Sequence, residues 1–318
     1  MHDDLPDLPC YLNGEFTRLP QARISVMDRG FIFGDGVYEV IPVYAGHAFR
    51  ITQHLQRLER SLRELRIANP LSTAQWTALI DTLVQRLAQQ QARAASDIDQ
   101  LVYLQVTRGV AMRDHVMPSS IQPTVFAMTN TMKQPSAHDV EQGVRCVTAD
   151  DFRWKKAHIK STSLLGAVFS RQISADQGAT ETVMFRDGWL SEAAASNVWV
   201  VKDGRVMGPP KDNLVLEGIR YGLLEELCAA SGLPLELRRI SRDEVLQADE
   251  LLLSSATKEV LAITRLDDRP VGDGRPGPVG RALRAAYQDA KRLPGRGAPA
   301  AGAAAASMAA QAPAEPAP

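Results

Sequence analysis

The stretch Ala157-His158-Ile159-Lys160-Ser161-Thr162-Ser163-Leu164-Leu165-Gly166-Ala167 sets one lysine between an extended run and a segment of small and apolar residues. That segment reads as a helix. Ser161, Thr162 or Ser163 is its expected N-cap, because a hydroxyl there can accept from a first-turn N–H. A lysine at such a junction is expected to have little water around it. Desolvation disfavours the ammonium form and leaves the amine nucleophilic. Such an amine can form a Schiff base with an aldehyde cofactor. Lys155 and Lys156, just upstream, read as solvated charges.

The chain has 318 residues, enough for a large core and for two domains. Hydrophobic residues make up 45% and charged residues 23%, as in a globular protein. A formal net charge of -1 gives no reason to expect nucleic acid or an anionic membrane as partner. No apolar run is long enough to span a bilayer. Met1-His2-Asp3-Asp4-Leu5-Pro6 is acidic and lacks the apolar core of a secretory signal. Cys10, Cys146 and Cys228 lack metal-ligand spacing and read as reduced thiols of a cytoplasmic protein.

Residues 1–9 read as a loose arm, and Tyr11 to Phe16 as a hairpin turning at Asn13-Gly14. Gly30, Gly34 and Gly36 let the backbone turn tightly before a strand from Val37 to Tyr44. Gly34-Asp35-Gly36 is not a dinucleotide loop, since it lacks the third glycine and a following helix. Leu55, Leu58, Leu62 and Leu65 recur at helical spacing and predict an amphipathic helix over 51–67 that carries Arg57. A second helix is expected from Ser72, its N-cap, to about Ala94. Strands are expected over 101–107, 124–128, 181–186, 197–202 and 249–254, and helices over 164–177, 218–231 and 280–292. The expected organisation is an N-terminal domain over 10–129, a linker over 130–138, a C-terminal domain over 139–293 and an Ala/Pro-rich disordered tail over 294–318. There is no internal repeat.

A Schiff-base enzyme using pyridoxal phosphate needs a lysine, and a carboxylate beside the ring nitrogen that keeps it protonated. It also needs cationic and N–H donors for the phosphate, and a pocket for the substrate carboxylate. A candidate exists for each, although each alone also suits an ordinary solvated group. Glu192 lies among small residues that would let a flat ring approach. Arg57 and the helix start at Gly218-Ile219 are phosphate candidates. Ser254-Ser255-Ala256-Thr257 ends a strand with hydroxyls, and Arg113 and His115 stand two apart in a polar segment.

Taken in order, these motifs resemble the fold-type IV pyridoxal-phosphate enzymes. The carriers are Phe33-Gly34-Asp35-Gly36-Val37-Tyr38-Glu39, His54-Leu55-Gln56-Arg57-Leu58, the Lys160 segment, and Glu192 with Ser196-Asn197. Leu216-Glu217-Gly218-Ile219 and Ser254-Ser255-Ala256-Thr257-Lys258-Glu259 complete the set, which spans roughly 10–293. The resemblance implies a two-domain fold of the α+β or α/β class. A smaller N-terminal α/β domain and a larger C-terminal domain would enclose the cofactor between them. It implies Lys160 as Schiff-base lysine and proton carrier, and Glu192 at the pyridine nitrogen. Arg57 and the Ile219 N–H would bind the phosphate, with help from the hydroxyls near Ser255 and Thr257.

Within that superfamily, Thr107-Arg108-Gly109-Val110-Ala111-Met112-Arg113-Asp114-His115 is similar to the D-amino acid transaminases. The resemblance implies that Arg113, His115 and Tyr38 trap the substrate carboxylate. The first two would come from a neighbouring subunit, hence a homodimer. The implied reaction is ping-pong amino transfer from a D-amino acid, such as D-alanine, D-glutamate or D-aspartate, to pyruvate or 2-oxoglutarate. The alternatives on this scaffold are a branched-chain L-amino acid transaminase, an aminodeoxychorismate lyase and an (R)-amine transaminase. A degenerate cofactor-free binding protein is the reading from another class. Two positions depart from the family pattern: Arg220 and Ala256 stand where threonines are common. Arg220 is expected either to contact the phosphate in their place or to turn outward to Glu217 or Glu225.

Overall fold

The computed structural model describes residues 5–292, so the segments 1–4 and 293–318, including the expected tail, lie outside the described residues. Two sheets carry the architecture. The N-terminal sheet has six strands: β1 (Pro9–Leu12), β2 (Glu15–Arg18), β3 (Gly36–Tyr44), β4 (His47–Ala48), β5 (Gln100–Thr107) and β6 (Thr124–Thr131). Their order is β2-β1-β6-β5-β3-β4, and every pairing is antiparallel. The β1–β2 hairpin turns at Asn13-Gly14 as expected.

The helices are α1 (Arg29–Phe33), α2 (Ile51–Glu64), α3 (Thr73–Gln90), α4 (Ala137–Gln142), α5 (Leu165–Asp176), α6 (Ile219–Ala230), α7 (Arg242–Leu246) and α8 (Pro278–Arg292). Leu55, Leu58 and Leu62 of α2 pack with Trp76, Ile80 and Leu83 of α3 onto Val37 and Ile41 of β3. Leu65 follows the end of α2 and is only partly buried at the edge of this core. Ser72 caps α3 in a capping box with Gln75, which satisfies two end groups reciprocally.

The second sheet has nine strands: β7 (Val144–Asp150), β8 (Glu181–Arg186), β9 (Trp189–Ala193), β10 (Asn197–Lys202), β11 (Arg205–Gly208), β12 (Leu235–Leu237), β13 (Glu250–Ser255), β14 (Glu259–Leu266) and β15 (Arg269–Pro270). β7 pairs with β14 and β8 in parallel, and β11 with β12 in parallel. Parallel neighbours need a crossover, which α5 supplies between β7 and β8 and α6 between β11 and β12. Both faces of this sheet are buried. Val198 and Val200 of β10 face one core, and Trp199 and Val201 face the other. Strands β7, β9, β11 and β14 had not been expected. Leu190-Ser191-Glu192-Ala193 of β9 is too small and polar to look like a strand.

One local expectation is corrected. None of Ser161, Thr162 and Ser163 caps α5; its N-cap is Leu164, without a side-chain bond. Their groups turn instead to the N-terminal sheet. Thr162 Oγ1 and Ser163 Oγ donate to the carbonyl of Gly34, and Ser161 forms a bridge with Val37. Short α1 was also unforeseen. Asp28 caps it by accepting from the Gly30 N–H, and Gly34 ends it in the left-handed conformation.

The capping box gives a direct expectation for the fold. Ser72→Ala should lower unfolding stability by about 1 kcal/mol. Thermal or urea unfolding would measure this. A change within a few tenths of a kcal/mol would mean that the cap is dispensable.

Candidate active site

Lys160 sits where the two sheets meet. The Tyr38 N–H donates to its carbonyl, and its own N–H donates to Ser61 Oγ of α2. The side chain is half-buried rather than withdrawn from water, and Nζ lies 4.1 Å from the centroid of the Tyr38 ring. Close approach is possible because Gly34 and Gly36 lack side chains. A Cβ at Gly34 would lie 2.8 Å from Ser163 Oγ, and one at Gly36 would lie 2.7 Å from the Val106 carbonyl.

A cavity of about 1140 Å³ opens beside Lys160, between the two sheets. Of the candidate residues, Tyr38, Arg57, Lys160, Glu192, Ile219, Arg220, Ser255, Ala256 and Thr257 line it. Arg113 and His115 do not. Both are exposed on the loop after β5, and His115 lines a smaller adjoining recess.

Glu192 lies on β9 and is buried. It accepts from Arg153 Nη1 at 2.6 Å, Asn197 Nδ2 at 3.1 Å and the Leu216 N–H at 3.2 Å. Burial raises its carboxyl above the ordinary range, against the lowering effect of Arg153. A carboxylate of that kind can share a proton with a ring nitrogen. Arg153 is also fixed by Asp151 through Nε and Nη2, each at 2.9 Å. Sequence reasoning missed Arg153. The only signal was an aspartate two residues before it in a cationic run, which does not announce a contact with Glu192.

Arg57 is buried on α2 and holds Glu39 in a fork, Nε to Oε1 at 2.7 Å and Nη2 to Oε2 at 2.8 Å. Its third nitrogen, Nη1, donates to the Glu217 carbonyl just before α6. Burial alone would raise Glu39, but Arg57 and His54 hold its carboxyl well below the usual range. His54 is lowered to about 4, first by burial, with Glu39 opposing. It is therefore neutral at pH 7, and the contact of Nδ1 with Glu39 Oε2 at 2.7 Å assigns the proton to Nδ1. His54 lines the cavity, and its buried Nε2 has no hydrogen-bond partner among the described residues.

Helix α6 begins at the cavity, with Gly218 as N-cap. A Cβ there would strike Asn197 Oδ1 at 2.2 Å. The N–H groups of Ile219 and Arg220 have no carbonyl in their own helix and are free for an anion. The Arg220 guanidinium is buried, and Nη2 donates to the Tyr287 hydroxyl at 3.1 Å. The outward alternative is thus corrected: Glu217 pairs with Arg60 and Lys211, and Glu225 with Lys211. Arg220 lies 5.9 Å from the centroid of the Phe49 ring and lines the cavity.

The chain matches the Amino-transferase class IV family model over residues 36–266 and belongs to that family. It is 36% identical over 282 residues to the D-alanine aminotransferase of Bacillus licheniformis, covering 87% of this chain and 95% of the relative. Among solved structures it is similar to a T.th. branched-chain amino acid aminotransferase with pyridoxamine 5'-phosphate, at a TM-score of 0.81, 21% identity and coverage of 92% and 97%. A fold IV-transaminase from Curtobacterium pusillum matches at a TM-score of 0.73 and 27% identity, covering 85% of this chain and 92% of that one. Among the described residues no helix is long and apolar enough to cross a membrane.

Because Arg153 opposes the burial of Glu192, Arg153→Met should raise the Glu192 carboxyl further. The carboxylate exists above its pKa, so the acid limb of the pH–rate profile should move to higher pH. An acid limb that stays put would remove Arg153 from this role. Asp151 keeps Arg186 as its partner in the variant, and Glu192 loses its cation but keeps the Asn197 amide and the Leu216 N–H as donors.

Proposed function

We propose that the protein is a pyridoxal-phosphate-dependent D-amino acid transaminase, passing an amino group from a donor such as D-alanine to a 2-oxo acid such as 2-oxoglutarate. One observation carries this reading: a single cavity gathers the Lys160 amine, the buried carboxylate of Glu192 and the free N-terminal turn of α6. The donor chemistry fits the cofactor. Glu192 suits a pyridine nitrogen, because burial favours a carboxyl that shares a proton. Arg57, the Ile219 and Arg220 N–H groups and the hydroxyls of Ser255 and Thr257 suit a phosphate. When bound, pyridoxal phosphate supplies the electron sink for the pair left at the substrate Cα.

Lys160 Nζ would hold the aldehyde of the cofactor, and as a free amine it would be the base for the proton at the substrate Cα. The Tyr38 ring beside Nζ keeps water from one side of it. Glu39 and the Glu217 carbonyl hold the Arg57 guanidinium in one orientation before any phosphate arrives. The D-alanine aminotransferase relative supports D-substrates. The branched-chain structure is only 21% identical and speaks for the fold alone.

Arg113 and His115 are exposed and outside the cavity of their own chain. We read them as completing the cavity of a second copy, where they bind the substrate α-carboxylate. An apolar rim of exposed Phe31, Phe152, Trp154, Leu165, Val168 and Phe169 supports burial of this face in a homodimer. The three buried thiols, none in a disulfide, suit a cytoplasmic location.

Adding D-alanine to the holoenzyme should deplete its visible absorption and release pyruvate, whereas L-leucine should leave the band intact. Depletion by L-leucine alone would sink the D-specific reading. Lys160→Ala should lose the band and the activity together, and retained activity would exclude Lys160.

A further inference from the structure

Arg113 and His115 stand on an exposed loop, yet a carboxylate trap works only if its donors are held before the substrate arrives. Short α1 holds them. The Arg29 N–H donates to the Gly109 carbonyl, the Ala111 N–H donates to the Met27 carbonyl, and Asp28 forms a bridge with Val110. The Arg29 guanidinium does more. Its side chain is only 4% exposed, Nε donates to Asp35 Oδ2 at 2.8 Å, and Nη1 donates to the carbonyl of Asp114. Asp114 is the residue between Arg113 and His115. One guanidinium thus ties a half-buried carboxylate to the centre of the trap.

Asp35 is itself anchored. Arg108 grips it in a fork at 2.7 and 3.0 Å and also donates to the carbonyls of Leu65 and Arg66 at the end of α2. Burial opposes the charge on Asp35, but Arg108 and Arg29 hold its carboxyl below the ordinary range. The second support is the Phe33 ring. The Arg113 guanidinium lies 5.5 Å from its centroid, the His115 ring also 5.5 Å, and the Arg29 guanidinium 4.7 Å. An aromatic face attracts a cation and limits its rotamers without taking up its N–H donors. Those donors stay open for a carboxylate.

We propose that Arg29 and Phe33 are positioning residues for the substrate carboxylate, acting only through Arg113 and His115. This rests on the reading above that those two side chains bind it.

A double-mutant cycle on the holoenzyme tests the proposal. Arg29→Met leaves Asp35 paired with Arg108, so no buried charge loses all its partners. The variant should raise KM for D-alanine about tenfold, with kcat changed by less than about threefold. The visible cofactor absorption and the melting temperature should stay close to those of the parent. In an Arg113→Ala background, Arg29→Met should add less than about twofold, because its route to the substrate is gone. An unchanged KM for Arg29→Met beside a raised KM for Arg113→Ala overturns the positioning role alone. So do effects that simply multiply in the two backgrounds. An unchanged KM for Arg113→Ala overturns the carboxylate reading and this inference with it. If Arg29→Met does not fold, Phe33→Leu enters the same cycle, and the same two patterns decide.

Discussion

The pairing of the Lys160 segment with the start of β3 is the contact on which the site depends. Tyr38 donates to the Lys160 carbonyl, Thr162 donates to the Gly36 carbonyl, and two hydroxyls converge on Gly34. A chain entering the C-terminal half thereby lies against the N-terminal sheet. Lys160 and Tyr38 come together, and the cavity forms between the layers. The contact needs Gly34, since a Cβ there would lie 2.8 Å from Ser163 Oγ, while Gly36 lets β3 approach the Val106 carbonyl of β5.

Around this seam the buried charges are not solitary. Glu39 is shared by Arg57 and His54, Asp151 by Arg153 and Arg186, and Asp35 by Arg29 and Arg108. Removing ions from water is costly, so such pairs add little to stability overall and much to orientation. Each holds a side chain of the proposed site in one attitude. Arg57 is set before α6, Arg153 against Glu192, and Arg29 under the loop that bears Arg113 and His115. Arg220 differs, since its buried guanidinium meets a hydroxyl rather than a carboxylate. It is buried against the Tyr287 hydroxyl and near Phe49, which links α6 to the N-terminal half of the chain. Arg50 does likewise, with a two-point contact to Glu226 of α6.

Much of this was legible in the residues themselves. The leucine spacing of α2, Ser72 at the start of α3 and Asn13-Gly14 in the first hairpin are local signals, and local physics set them. Lys160, Glu192 and Arg57 were weak candidates one by one and became readable through the order and spacing of the motifs that carry them. Less visible were Glu39 and His54, which stand in quoted motifs but showed no role until their contacts were known. The hydroxyls of Thr162 and Ser163 misled, because their acceptor lies about 130 positions earlier in the chain and competes with the helix for the same groups.

The sequence by itself determined the elements with a clear period, cap or turn, such as α2, α3 and the first hairpin, and which residue types the chemistry could use. Only the tertiary structure decided which charges meet. It joined Arg57 to the Glu217 carbonyl, Arg153 to Glu192 and Arg29 to the Asp114 carbonyl, and it kept Arg113 and His115 out of their own chain's cavity. Such contacts span tens to more than a hundred residues. Their formation depends on how sheets stack and strands cross, which no local pattern encodes.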